Sequence, residues 1–401
     1  MANPWLTTDA LIAAIKRKIA VPISQVTFTE EDIIAFLNEE MMISTVPSVM
    51  SFHEEYFVSE LKVPIVEGVN KYPIPERAIG SKLRDLFWSD TQNNFFEMTR
   101  VSSEDKAYFQ DNLGSNQVIH KYYLEGNDIV LTPQMRSNPT GSLCFFYFLR
   151  PNQLVKDDQA AIITNFTKYI TIDNTTLVAG NKITIDGVDF EATAGIPTGN
   201  QFQIGGTSIV SATNLVNAIT TNGVVTASNG TPATAVITLK YDDLELVISS
   251  NNSSAISIQT AQGIEFDEIP TSIVNGSVVD FLQTKPGHRL YDFDITIPNN
   301  AISGSIISFT SADVPENLII GDYVCLSNEC IIPQIPTDLH NGLVERTCSR
   351  ILAAMGDQQG LENSMRKIQE LEVRQGTLID SRVDGSCQKI TNKNSLLRMR
   401  K

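Results

Sequence analysis

The sequence predicts an α+β protein: a helical bundle built from N- and C-terminal helices, a β-rich central region and an inserted small β domain. Three observations predict it. Apolar residues recur at helical spacing near both ends of the 401-residue chain. Short alternating or wholly apolar runs, separated by turn residues, fill the middle. One central stretch, residues 165–285, has its own composition: four lysines against eleven carboxylates, a net charge of −7, with no arginine between Arg150 and Arg289.

Residues 1–48 read as two helices. Thr8 can cap the first, with Leu11, Ile12, Ile15 and Ile19 on one face. Lys16, Arg17 and Lys18 sit near the negative end of its dipole, and Pro22 breaks it. Thr29 caps the second, whose first turn holds Glu30, Glu31 and Asp32. Ile33, Phe36, Leu37 and Met41 make its buried side, and Pro47 marks its end.

Residues 49–164 form the β-rich region. Tyr72-Pro73-Ile74-Pro75 is extended, because each proline pushes its predecessor out of the helical region. Tyr122–Leu131 reads as a hairpin turning at Gly126–Asn127, and Leu143–Leu149 as a strand buried on both faces. Within residues 165–285, the inserted acidic domain, Ile183, Ile185, Val188 and Phe190 alternate around Asp186–Gly187, a hairpin signal. Ser211–Thr220 predicts a short helix, followed by strands at Val236–Leu239 and Leu244–Ile248. Residues 286–336 supply return strands near Ile306 and Tyr323. An insert requires its two ends to meet, which brings the terminal helix pairs together as one four-helix bundle.

Residues 337–381 are the C-terminal helix pair. Thr337 or Asp338 caps the first helix, and Leu339, Leu343, Val344, Cys348, Ile351, Leu352 and Met355 make its apolar stripe. Gly356 ends it and Asp357 caps the second, where Leu361, Met365, Ile368, Leu371 and Leu378 continue the stripe. Residues 382–401 are a basic extended tail. Arg382, Lys389, Lys393, Arg398, Arg400 and Lys401 face Asp384 alone, a net of +5. A cationic tail on a chain of net charge −16 looks for an acidic partner.

The same charge argues against wrapping nucleic acid by phosphate neutralisation. Five scattered cysteines predict reduced thiols made in a cytoplasm. The first residues lack a basic stretch followed by an apolar one, and no apolar run approaches membrane-spanning length. No phosphate-cradling loop and no G-x-S-x-G elbow occur. His53, His120, His288 and His340 are not at metal-ligand spacing from one another or from a cysteine. Asp186 and Asp189 could hold a cation, but a hairpin with polar flanks is the simpler account. Asp242, Asp243 and Glu245 could pair as glycosidase acids, yet carboxylates this close at a turn are usually solvated. These readings predict no enzyme, no cofactor and no metal.

Leu11-Ile12-Ala13-Ala14-Ile15-Lys16-Arg17-Lys18 with Pro22 and Phe28, Glu39-Glu40-Met41 with Pro47, and Tyr72-Pro73-Ile74-Pro75-Glu76-Arg77-Ala78-Ile79-Gly80-Ser81-Lys82-Leu83-Arg84 form an ordered set. Ile332-Pro333-Gln334-Ile335-Pro336, Ile351-Leu352-Ala353-Ala354-Met355-Gly356-Asp357 and Ile379-Asp380-Ser381-Arg382-Val383-Asp384-Gly385 continue it. In this order they resemble the head-to-tail adaptor (connector) proteins of tailed bacteriophages. The resemblance implies a non-enzymatic virion protein of the neck, made in the host cytoplasm. It implies a ring, commonly dodecameric, that surrounds the DNA exit channel beneath the portal protein. Its partners would be its own copies, the portal protein and the next neck or tail ring. DNA would pass through the lumen without specific binding, and no membrane is involved. The segment Arg382 to Lys401 would be the arm that docks on the portal. The acidic stretch 165–285 departs from the simple family pattern. The alternative is a tail component whose inserted β domain binds a receptor or glycan, weakened by the lack of tryptophan there. A tail hydrolase using Asp242 or Asp243 ranks below both.

Overall fold

The computed structural model describes residues 7–19, 28–102, 104, 121–132, 141–230, 234–242, 244, 246–284 and 290–378. It is a mixed α+β structure with several sheets. Six α-helices are found among these residues: α1 (Thr8–Ile19), α2 (Glu30–Glu40), α3 (Val46–Phe52), α4 (Ser208–Asn222), α5 (His340–Met355) and α6 (Gln358–Leu378). The chain divides into two compact units. One takes the described residues up to Met41 and Pro151–Ser364; the other takes Met42–Arg150 and the described residues from Met365 on.

The helix starts follow local chemistry. Thr29 and Asp32 form a reciprocal capping box at α2, which satisfies two otherwise orphaned N–H groups. At α1 the cap is Thr7, whose hydroxyl accepts from the Ala10 N–H, and not Thr8 as expected. Thr8 is fully buried, because its own hydroxyl is used elsewhere. Pro47 does not end the second helix. Helical structure continues through a π turn, Met41–Thr45, into α3, and Pro47 sits in the first turn after that change of register. The combined run, Glu30–Phe52, is long and apolar enough to cross a membrane, against expectation. Its apolar residues Ile33, Leu37, Met41, Val46 and Val49 are buried inside the protein. Neither Thr337 nor Asp338 caps α5; a 3₁₀ turn, Thr337–Leu339, leads into it instead. Gly356 closes α5 at φ 75°, and the Asp357 carboxylate accepts from the Gly360 N–H at the start of α6.

In the first unit a ten-stranded sheet is organised by one long strand, Ala161–Ile172. Its opening residues pair with Tyr323–Leu326, its middle with Ala261–Phe266, and its later residues with Val236–Tyr241 and Ile256–Ile258. Two cores lie along it. One gathers Phe166, Ile264, Phe266, Phe281, Phe309 and Val324. The other gathers Ile170, Ile172, Ile183, Phe190, Leu215 and Ile237 under α4 and a four-stranded sheet of residues 182–250. This sheet includes the expected hairpin, with Ile185 opposite Val188 and both Asp186 and Gly187 at positive φ. The strand expected at Leu244–Ile248 lies at Ile248–Ser250. The large sheet takes strands from either side of residues 165 and 285. Composition reports exposed positions, whereas the strand Ala161–Ile172 runs through residue 165 without a break.

The second unit holds two four-stranded sheets. The order of one is Val58–Pro64, Ser142–Leu149, Ala78–Ser89, Phe95–Glu97. The central strand Ser142–Leu149 is mostly buried, as its run of apolar residues predicts. The other sheet carries the hairpin turning at Gly126, φ 65°, and the extended Lys71–Pro73. Tyr72, Ile74, Leu86, Ile129, Leu131, Leu143, Phe145 and Tyr147 share the core of this unit. Gly141 is required here: at φ 110°, a Cβ would lie 2.2 Å from the Ser89 carbonyl oxygen.

Candidate functional site

The terminal helices α1, α2 and α5 come together in the first unit. Leu11, Ile12 and Ile15 of α1, Ile33 and Leu37 of α2, and Leu343, Val344, Cys348 and Ile351 of α5 are all buried. Charged side chains stitch their edges. Lys18 donates to Glu345 at 2.5 Å. Arg350 pairs with Glu39 and, at 2.5 Å, with Glu40. Glu30 accepts from both Lys156 at 2.7 Å and Lys16 at 2.8 Å. These hydrogen bonds, Lys156 first, lower the Glu30 carboxyl to about 2. The Asn38 amide bonds both backbone groups of Leu154, accepting from its N–H at 2.7 Å and donating to its carbonyl at 3.0 Å.

The expected stripe is only partly covered. Ile368 is buried, while Met355 and Met365 are exposed; Val373, outside the stripe, is exposed as well. Helical spacing marks a face able to pack, not the surface that covers it. The predicted arm residues Arg382, Lys389, Lys393, Arg398, Arg400 and Lys401 lie outside the described residues.

The other sequence-derived candidates are dispersed. Asp189 accepts from the Thr184 hydroxyl at 2.7 Å, which holds its carboxyl below the usual range, and it belongs to the hairpin. No group of three His, Cys, Asp or Glu that could hold a metal occurs among the described residues. Asp242 lines a cavity; Asp243, Glu245, His120, His288 and Cys387 lie outside the described residues. His53 packs edge-on against Tyr56, and His340 is buried at the start of α5. Cys144, Cys325, Cys330 and Cys348 are buried and outside any disulfide, and desolvation raises the Cys325 and Cys330 thiols.

Two features were not foreseen. The first is Asp280, a fully buried carboxylate. One oxygen accepts from the Asn152 side-chain amide at 2.7 Å and the Asn328 N–H at 3.0 Å; the other accepts from the Asp294 N–H at 3.0 Å. The Asn152 N–H donates to Gln334, which ties this hub to the lead-in of the C-terminal helices. A lone acid inside the apolar run Val278–Leu282 was the available signal. The second is a cavity of about 380 Å³ bordered by Lys168, Tyr241 and Gln262, with Leu244, Leu246 and Val314 as its apolar side. A second cavity of about 610 Å³ shares Tyr241 and Leu246 with it. Nothing in the sequence brings Lys168 and Ser311 together; the sheet does, through Ala261–Phe266, which pairs with both Ala161–Ile172 and the strand that ends at Thr310.

Compared with known proteins, the chain matches no family model and no curated protein.

Proposed function

We propose that this chain is a structural subunit of a phage neck: a ring that joins the portal to the tail and surrounds the DNA exit channel. In this reading the terminal helices form a helical bundle at the heart of the subunit, and residues 382–401 are the arm that docks on the portal. The supporting observation is the junction of the two ends of the chain, where α1 and α2 pack with α5 and are clamped by Lys18–Glu345 and Arg350–Glu39/Glu40. That junction closes the fold before α6 carries the chain towards its basic end. Surface chemistry agrees. Met355, Met365 and Val373 on the C-terminal helices, and Phe95 and Phe96 on an edge strand, are exposed apolar groups suited to neighbouring subunits. A net charge of −16 per subunit would give DNA a repulsive, low-friction passage.

Deleting Ser386–Lys401 tests the arm. The truncated protein should keep its circular dichroism and melting temperature while losing attachment to its portal in negative-stain images. Attachment of the truncated protein at low salt, equal to that of the full chain, sinks this reading.

A further inference from the structure

We propose that the cavity beside Lys168 is a binding site for an acidic sugar, with the sugar carboxylate on the lysine ammonium and its C–H face against Leu244, Leu246 and Val314. The inference is independent of the ring assignment.

The cavity has a wall built in advance. Tyr241 and Gln262, 6% and 5% exposed, exchange hydrogen bonds: the tyrosine hydroxyl donates to Oε1 at 3.1 Å and accepts from Nε2 at 2.8 Å. Gln262 Nε2 also lies 3.3 and 3.1 Å from the carbonyls of Thr167 and Gly263, so its two hydrogens are shared among three acceptors. Such a fully engaged pair does not reorganise when a ligand arrives.

Lys168 stands at this wall with no counter-ion among the described residues. Its ammonium has three hydrogens and two long contacts, 3.4 Å to the Ser311 hydroxyl and 3.5 Å to the Ala261 carbonyl. No carboxylate among the described residues lies within ion-pair distance of it; the neighbouring Glu265 is held by Lys240 at 2.5 Å. Burial therefore pushes the Lys168 ammonium down, and an arriving carboxylate would relieve that cost. A single cation suits a monoanion better than a phosphate dianion, which is held by several donors.

The remaining lining selects a sugar over a fatty acid. Glu316 also lines the cavity, and its carboxylate can accept from sugar hydroxyls. The volume of about 380 Å³ falls in the small-ligand range, and the adjoining 610 Å³ cavity gives room for further sugar units.

The test is calorimetric titration of the full chain with sodium glucuronate, with glucose and acetate as controls. Glucuronate should bind, and glucose and acetate should each bind roughly tenfold or more weakly. Lys168→Met should weaken glucuronate by a similar factor at unchanged melting temperature. No binding of glucuronate overturns the proposal, as does equal affinity in the variant. Equal affinity for acetate also overturns it, by reducing the site to a bare anion contact. Should Lys168→Met unfold, amide chemical shifts of the unaltered chain decide: glucuronate must move Ser311–Asn317, and shifts elsewhere alone refute the site. A ring that assembles without binding sugar refutes this inference and leaves the neck assignment standing.

Discussion

Thr8 and Ile331, 323 residues apart, are joined through a single carbonyl oxygen. The Ile331 carbonyl accepts from the Thr8 N–H at 2.8 Å and from the Thr8 hydroxyl at 3.0 Å. Both residues are buried. The first turn of α1 is thereby fixed to the strand end that leads into α5. Thr8→Val keeps the shape, removes the hydroxyl bond and should cost about 1 kcal/mol of stability. Urea unfolding measures it; an unchanged midpoint would show that the second bond contributes nothing.

Arg350 bridges Glu39 and Glu40, and Glu40 is only 8% exposed. Arg350→Leu should destabilise the protein by about 1–3 kcal/mol, because it takes the guanidinium from a buried carboxylate. Adding Glu40→Gln should recover part of the loss. A double-mutant cycle with no coupling energy contradicts the clamp.

The Asp280 carboxylate accepts from the Asn152 side-chain amide and from the Asn328 and Asp294 N–H groups. Asp280→Asn should cost about 1.5–3 kcal/mol, since an amide turns an NH₂ toward groups that donate. Thermal unfolding with no change in midpoint would refute the role of the carboxylate.

Glu30 sets an acid limit. Its folded-state value is lowered from 4.5 to about 2 by Lys156 and Lys16. A lowered value means that the stabilisation is present above pH 4.5 and is lost as pH falls towards 2. The carboxylate is 43% exposed, so solvent screening holds the effect to about 1 kcal/mol or less. Glu30→Gln should flatten this part of the acid limb. An identical pH profile in the variant would count against it.

Gly141 should not tolerate a side chain. Gly141→Ala combines positive φ with a contact of 2.2 Å to the Ser89 carbonyl. The expected loss is about 3 kcal/mol or more. A variant that unfolds at the wild-type denaturant concentration would be inconsistent with this turn.

Local structure was the legible part. Thr29 with Asp32, Asp186 with Gly187, and Gly356 with Asp357 each act through hydrogen bonds or φ preferences within a few residues, so their chemistry is written side by side. Ser211–Thr220 was recognised as a helix but extends over Ser208–Asn222, because Thr207 accepts from the Val210 N–H and Gly223 supplies the left-handed end. Pro47 misled because a proline that ends one helix and one that opens the next look alike in sequence. The pairing of Ala161 with Val324 and of Ile163 with Phe266, and the bond from Asn152 to Asp280, join residues more than a hundred positions apart. The Lys168 cavity belongs to that non-local class, while the basic segment 382–401 was legible as charge alone.

The strand Ala161–Ile172 belongs to two cores of its unit, Phe166 to one and Ile170 to the other. Heat therefore cannot melt one core while sparing its neighbour, for the same backbone ladder must let go of both. Calorimetry would record their loss as one endotherm, and a tug on either end of that strand would be felt along its whole length.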